Sequence, residues 1–345
     1  MVSVVIPCLN EVDYIDETLH SLIDQVDFSE DLEVLVVDGG STDGTRERIL
    51  KWSQRDSRFR MLDNPMRYTP QALNIGIRQA KGEWVIILGA HATCNRDFLR
   101  RNWDALRAHP ESACVGGVVE QQHGSHTSRR IGAALSTPFG VGDARFRTGG
   151  TAGHVDTVAF GAYRKSALIE IGLFDEHLVR NQDDELNFRL HEAGWRIWFD
   201  PRIRSSYHVR STYGKLFRQY RQYGYWKVFV NRKHRTVTTW RQVVPALFLL
   251  SLFAGVLGCL WEAFGYGTEA WKGLSFSLLV TLLVAWMTGA SFSAVNVARD
   301  GRDVPGIIWA FAVVHFAYGW GYWEGVFRFI LLQRAPRAAA LKLTR

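Results

Sequence analysis

Glu33-Val34-Leu35-Val36-Val37-Asp38-Gly39-Gly40-Ser41-Thr42-Asp43-Gly44-Thr45 reads as a buried strand running into a glycine-rich turn, with a helix starting near Thr45. An unbroken apolar run of this length suits a strand covered on both faces. Ser3-Val4-Val5-Ile6-Pro7 is a second such run, closed by a proline and followed by a helical pattern to about Gln25. Strand, small-residue turn and helix is the geometry with which an α/β sheet binds nucleotides, because ligands gather beyond the carboxyl ends of its parallel strands. Small residues let a ligand approach the backbone, and Asp38 offers acceptor oxygens to a base or ribose. The turn is neither a Walker loop nor GxGxxG, so a phosphate cradle is not indicated.

Asn181-Gln182-Asp183-Asp184-Glu185-Leu186-Asn187-Phe188-Arg189-Leu190 places three consecutive acids at the start of a helix that stops at Ala193-Gly194. Leu186 and Leu190, four apart, share its apolar face. The helix dipole is expected to favour the ionised form of these acids, and a carboxylate held there is a good general base. The competing reading is a charged, solvated first turn.

Val5-Ile6-Pro7, Asn10-Glu11 and Val37 to Thr45 resemble the opening of the family 2 glycosyltransferases of GT-A fold. The likeness continues through Gln71-Ala72-Leu73-Asn74-Ile75-Gly76-Ile77, Ala80-Lys81-Gly82-Glu83, Phe160 to Lys165, Gly172 to Glu176 and Arg180 to Asn187. Ala90-His91-Ala92, Ser136 to Gly142, Val155 to Val158 and Gln219-Tyr220 to Tyr223-Gly224 resemble the succinoglycan-biosynthesis glucosyltransferase type within it. The resemblance implies a Rossmann-like mixed sheet flanked by helices. It implies Asp183 as the base toward the acceptor hydroxyl, with Asp184 and Glu185 as supporting acids. Pro7, Glu11, Asp38, Gly39, Gln71 and Asn74 would be donor-binding, and His208 would face a metal or diphosphate. Gln219, Arg221 and Trp226 would belong to a helix closing over donor and acceptor.

One position departs from the pattern. After Trp84-Val85-Ile86-Ile87-Leu88 the family carries Asp-x-Asp, and its near relatives Asp-Ala-His, where this chain has Gly89-Ala90-His91. Mg²⁺ prefers oxygen ligands and Mn²⁺ accepts imidazole more readily, so His91 remains a metal candidate. Either ion is expected, bound weakly unless a nucleotide diphosphate supplies oxygens.

The last third differs physically. From Gln242 to Leu331, 90 residues carry nine charged side chains, leaving apolar stretches from about Val243 to Phe264, Leu274 to Val297 and Gly306 to Leu332. Each reaches the roughly 20 residues that span a bilayer. Arg232, Lys233, Arg235 and Arg241 before the first, Arg299 and Arg302 after the second, and only Lys272 between them place the catalytic domain in the cytoplasm. Arg334, Arg337, Lys342 and Arg345 break the pattern. Gly319, Gly321 and Gly325 suggest a broken or re-entrant third span.

The expected layout is therefore a GT-A catalytic domain over 1–210, an amphipathic interface segment over 211–241, an all-α transmembrane domain over 242–333 and a basic tail over 334–345. Interleaved aromatic and basic residues from Ser211 to Arg235 suit a membrane interface, and no nucleic-acid role is expected. The net charge of +7 fits anionic membrane and substrate. Cys8, Cys94, Cys114 and Cys259 show no metal or disulfide spacing, and the first apolar run is too short for a signal peptide. Gln121 to Gly153 reads as a long loop over the acceptor, with Arg129, Arg130, Arg145 and Arg147 available to phosphate.

The expected function is inverting transfer of a hexose, glucose by preference, from a UDP-sugar to a lipid-linked saccharide, in a multi-pass protein of the cytoplasmic membrane. A polyprenyl-phosphate sugar synthase and a non-catalytic scaffold of the same fold are the alternatives. Homo-oligomerisation is left open.

Overall fold

The computed structural model describes residues 1–266, 273–337 and 340. Lys272, Lys342 and Arg345, used above for orientation, lie outside the described residues, as does Glu269. The chain forms two compact units, residues 1–122 with 143–208, and 123–142 with 209 onward. Residues 123–142, expected within the first domain, are thus grouped with the second unit.

The first unit is built on strands β1 Val2–Cys8, β2 Leu32–Asp38, β3 Phe59–Asp63, β4 Trp84–Ile87, β5 Ala92–Cys94, β6 Ser112–Gln122, β7 Gly153–His154, β8 Ala159–Arg164 and β9 Arg196–His208. The helices up to residue 192 are α1 Ile15–Ile23, α2 Thr45–Arg55, α3 Thr69–Gln79, α4 Phe98–Ala108, α5 His126–Leu135, α6 Pro138–Val141, α7 Arg145–Thr148, α8 Lys165–Glu170 and α9 Gln182–Glu192; α5 and α6 fall in the second unit. The strands form one mixed sheet, ordered β3-β2-β1-β4-β8-β6-β9-β5, with β7 paired to β9. Alternation along β1 and β2 divides the side chains between two cores. Val4, Ile6, Val34 and Val36 enter one, and Val5, Leu35 and Val37 enter the other. That is the physical reason residues 4–6 and 34–37 are apolar on both faces.

In the second unit, α10 Tyr213–His234, α11 Val244–Ala263, α12 Leu274–Val297 and α13 Val304–Gly325 follow α5 and α6. Three helical stretches, Trp240–Ala263, Leu274–Val297 and Gly301–Leu331, are long and apolar enough to cross a membrane. Phe253 and Phe292 are 62% and 71% exposed, as lipid-facing side chains are.

Two expectations are corrected here. The glycines do not break the third stretch, since α13 runs unbroken to Gly325 and continues as a π-helical turn over Val326–Leu331. They pack it instead. A Cβ on Gly321 would lie 1.9 Å from the Arg221 carbonyl oxygen, and one on Gly224 would lie 2.1 Å from that of Tyr318. Glycine here permits backbone contact between α10 and α13. The expected long loop of 121–153 is also largely helical. Ser125 and Ser128 form a reciprocal cap for α5, Thr137 caps α6, and the Phe139 ring packs against Phe311, His315 and Trp286 at 5.0, 5.2 and 6.0 Å. Arg129 and Arg130, expected near phosphate, both pair with buried Asp303 at 2.9 and 2.8 Å.

Candidate active site

β1, β2, β3 and β4 are mutually parallel, and β8 is antiparallel to both β4 and β6. β6 therefore points with β4, and β9 is parallel to β6. Cys8, Asp38, Asp63, Ile87, Gln122 and His208 consequently end their strands at one edge of the sheet, the edge at which α/β sheets bind ligands.

The loops leaving β1 and β2 are braced to each other there. The Asn10 and Glu11 N–H groups donate to Ser41 Oγ and Thr45 Oγ1 at 2.8 and 2.9 Å. Val12 N–H donates to Asp43 Oδ2 at 3.2 Å, and Thr42 N–H to Asn10 Oδ1 at 2.8 Å. Asp38 is fully buried and holds its own turn. It accepts from Gly40 N at 3.0 Å, Ser41 N at 3.1 Å, Ser41 Oγ at 2.5 Å and Arg46 Nη1 at 2.7 Å. These bonds take up the roughly four acceptor positions of a carboxylate. Arg46 also reaches Asp63 at 2.8 Å, a bridge that no local pattern in the sequence signals. Gly39 donates to the Cys8 carbonyl at 2.8 Å, and the half-buried Pro7 pairs in register with Val37.

The imidazoles lie at the same edge. His91 Nδ1 is 3.4 Å from Glu11 Oε1, and His208 Nε2 is 3.8 Å from Glu17 Oε2. His208 packs on Tyr14 with ring centroids 4.7 Å apart, and its buried Nε2 has no hydrogen-bond partner among the described residues. Thr18 Oγ1 donates to the Ala90 carbonyl at 3.0 Å, tying the 89–91 turn to α1. No group of three His, Cys, Asp or Glu among the described residues is arranged to hold a metal. The imidazoles fit a metal only as part of a shell completed from outside. A Cβ on Gly89 would meet Phe160 Cε1 at 3.1 Å, so the space of the missing acid is filled by that ring.

α9 closes this edge through the turn before β8. Asn187 Nδ2 donates to Thr157 Oγ1 at 2.9 Å, and His191 Nε2 lies 3.3 Å from the Asp156 carbonyl. Asp183, in the first turn of α9, is exposed to solvent, yet the surrounding protein partly desolvates its carboxyl. That desolvation raises its carboxyl above the ordinary range, and the like charge of Asp184 adds to it; Arg180 and backbone N–H groups pull the other way and lose. The shift runs against the helix dipole, which favours the ionised form of this acid. Glu185 is withdrawn from the acid group. It is fully buried, and its two oxygens take the Arg189 guanidinium at 2.9 and 2.8 Å. Arg189 in turn donates to the Ile171 and Leu173 carbonyls, fixing the turn before Phe174.

Gln71 and Asn74 also serve as pins in this structure. Gln71 Nε2 donates to the Glu176 carbonyl at 2.9 Å, and Asn74 exchanges bonds with Phe174 at 2.9 and 3.0 Å. Arg145 Nη1 donates to the Thr151 carbonyl at 3.2 Å, and Arg147 Nη1 to Tyr207 Oη at 2.9 Å. The remaining three candidates sit in the second unit. Gln219 Nε2 donates to Tyr223 Oη at 2.8 Å, and Arg221 grips Glu324 Oε2 at 2.9 and 2.7 Å. Trp226 is wholly buried, so its expected contact with an acceptor is corrected to a packing role.

A mixed sheet that gathers acids and imidazoles at one edge, with an acidic helix beside them, is the GT-A arrangement of a glycosyltransferase. The chain belongs to glycosyl transferase family 2, whose profile matches residues 3–172. It is 30% identical to the succinoglycan biosynthesis protein ExoA of Rhizobium meliloti (strain 1021), over 94% of this chain and 95% of that one. It is 32% identical to a dolichyl N-acetyl-alpha-D-glucosaminyl phosphate 3-beta-D-2,3-diacetamido-2,3-dideoxy-beta-D-glucuronosyltransferase of Methanococcus voltae, over 72% of this chain and 79% of that one. The fold is shared with a mannosyltransferase of Pyrobaculum calidifontis solved with GDP-Man and Mn²⁺. The TM-score there is 0.55 and the identity 18%, over 92% of this chain and 87% of that one.

Proposed function

We propose that the enzyme transfers a hexose, glucose by preference, from a UDP-sugar to a hydroxyl of a lipid-linked saccharide at the cytoplasmic face of the membrane. The product enters polysaccharide or glycolipid synthesis. The observation that carries the reading is one edge of a mixed sheet where strands end in Asp38, Asp63 and His208, with His91 beside Glu11 there and the acidic start of α9 tied to the turn before β8. The names of the two relatives support the polymer and the lipid-linked acceptor, and three membrane-length helices supply the anchor such an acceptor needs.

In this reading Asp183 takes the proton of the acceptor hydroxyl as that oxygen attacks the anomeric carbon. The bond to the diphosphate oxygen breaks on the opposite face, so the configuration inverts. A carboxyl raised toward the working pH suits a general base, because it is ionised yet basic enough to accept the proton. Asp38 acts by holding the turn against which the nucleotide lies. Mn²⁺ or Mg²⁺, held by His91 and His208, would supply charge to the departing diphosphate.

The test is transfer by the detergent-purified full chain, using labelled UDP-glucose, other UDP-sugars and GDP-mannose with membrane lipid extract. A saccharide product lengthened by one hexose is expected. Label on bare polyprenyl phosphate would favour the lipid-phosphate synthase. Neither product nor donor hydrolysis with any donor would overturn the enzyme reading.

A further inference from the structure

Gln121 stands next to last in β6, at the edge where the parallel strands end, and pairs in register with Tyr207 of β9. Both atoms of its amide, Oε1 and Nε2, are buried and have no hydrogen-bond partner among the described residues. Its neighbours are bonded. Gln122 Nε2 donates to Ser206 Oγ at 2.8 Å and Thr93 Oγ1 at 3.3 Å, and Tyr207 Oη accepts from Arg147 at 2.9 Å. One register step on, His208 Nε2 is likewise buried with no such partner. A glutamine amide carries two donors and two acceptor positions, and more than about nine in ten buried polar groups in folded proteins are bonded. A methionine would fill the same space without that cost. An amide here, with its capacity unmet among the described residues, can take a partner from outside the chain.

We propose that Gln121 reads adjacent hydroxyls of a sugar at this edge, its carbonyl accepting from one and its NH₂ donating to the next. The chemistry rests on glycosyl transfer as read above, since vicinal hydroxyls are what a sugar presents and each both donates and accepts. The sugar comes from either the donor or the acceptor. Gln121 acts as a specificity residue, because a site built to bond a hydroxyl discriminates against a ligand that lacks it.

The experiment uses the full chain in detergent, as wild type and Gln121→Met. Melting is measured first and needs no ligand. The variant is expected to melt no lower than wild type, because an unsatisfied buried amide is removed. A variant that fails to fold or melts well below wild type would show the amide to be a structural element and overturn the proposal. Transfer is then measured with UDP-glucose and membrane lipid extract, beside hydrolysis of UDP-glucose alone. Transfer should fall about tenfold to a hundredfold. Hydrolysis falling in parallel assigns the donor sugar, and hydrolysis unchanged with a raised acceptor KM assigns the acceptor. Kinetics equal to wild type in both arms would overturn the proposal. Wild type inactive with UDP-glucose would count against the donor reading, while the melting comparison still decides whether the amide is structural.

Discussion

His91 and His208 are the chain neighbours of Ala92 and Tyr207, the terminal pair of one antiparallel ladder. Ala92 pairs with Tyr207 and Thr93 with Ser206, so each histidine lies one residue beyond that ladder. Each has its own carboxylate, Glu11 for the first and Glu17 for the second, at 3.4 and 3.8 Å. Among the described residues, no group of three His, Cys, Asp or Glu that could hold a metal includes either imidazole. Such a pair needs a third party before it can hold an ion.

Mn²⁺ should therefore bind detectably only when UDP or a UDP-sugar is present, and His91→Ala should lower Mn²⁺-supported transfer more than Mg²⁺-supported transfer. Electron spin resonance of free Mn²⁺, with and without UDP, measures the first, and a metal titration of the rate measures the second. Full transfer in excess chelator would rule out a metal role.

Gly89→Asp alone should be strained, since the new Cβ meets the Phe160 ring at 3.1 Å. A loss of about 1–3 kcal/mol is expected from such overpacking. Phe160 itself holds φ at 50°, a conformation glycine adopts without cost. Gly89→Asp with Phe160→Gly should therefore regain part of the stability and bind Mn²⁺–UDP more tightly than wild type. Equal Mn²⁺ affinity in calorimetry would show that position 89 lies out of reach of the ion.

Asp183→Asn should cut transfer at least about a hundredfold while UDP binding holds. The base works ionised, so wild-type kcat/KM should rise with pH through an apparent pKa above the ordinary carboxylate value. Asp184→Asn should move that limb to lower pH by removing a like charge. Stability follows the same sign. Above about pH 3.9 the unfolded chain ionises Asp183 more readily than the folded one. Asp183→Asn should then melt higher than wild type at neutral pH, and the gap should close in acid. A gap of the same size at pH 3 would contradict the raised pKa.

Asp38→Ala leaves the Gly40 and Ser41 N–H groups without their acceptor and Arg46 with Asp63 alone. It should cost about 1–3 kcal/mol of stability and weaken UDP binding together. Thermal unfolding paired with UDP calorimetry checks both. Lower stability with unchanged UDP affinity would confine Asp38 to the turn.

Gly321→Ala should collapse the yield of folded protein, because its Cβ would sit 1.9 Å from the Arg221 carbonyl oxygen. Gly214→Ala, near the start of α10 with nothing within 4 Å, should be neutral or stabilising by up to about 1 kcal/mol. Size-exclusion profiles in detergent compare the two. Similar profiles would mean that α10 and α13 are not held by backbone contact.

Much was legible in the residues alone. Val34 to Val37 had to be a strand covered on both faces, Gly39 to Gly44 had to be a turn, and the runs around 243–264 and 274–297 had to be membrane-length helices. Each is fixed by period, length and the special dihedrals of glycine, all of which are local. What the tertiary structure alone decided was where capacity ends up. Asp38 and Asn74 read as ligand-facing polar residues, but the fold brings Arg46 and Phe174 to them, whereas Glu185 pairs with Arg189 one helical turn on, a contact local to α9. Gly321 read as a helix interruption, but the fold brings the Arg221 backbone against it. Gln121 gave no signal in sequence, and only the folded chain shows its amide buried, in register with Tyr207, with no hydrogen-bond partner among the described residues. A residue's type sets which bonds it can make, and which partners arrive depends on contacts between segments far apart in the chain, which no local pattern encodes.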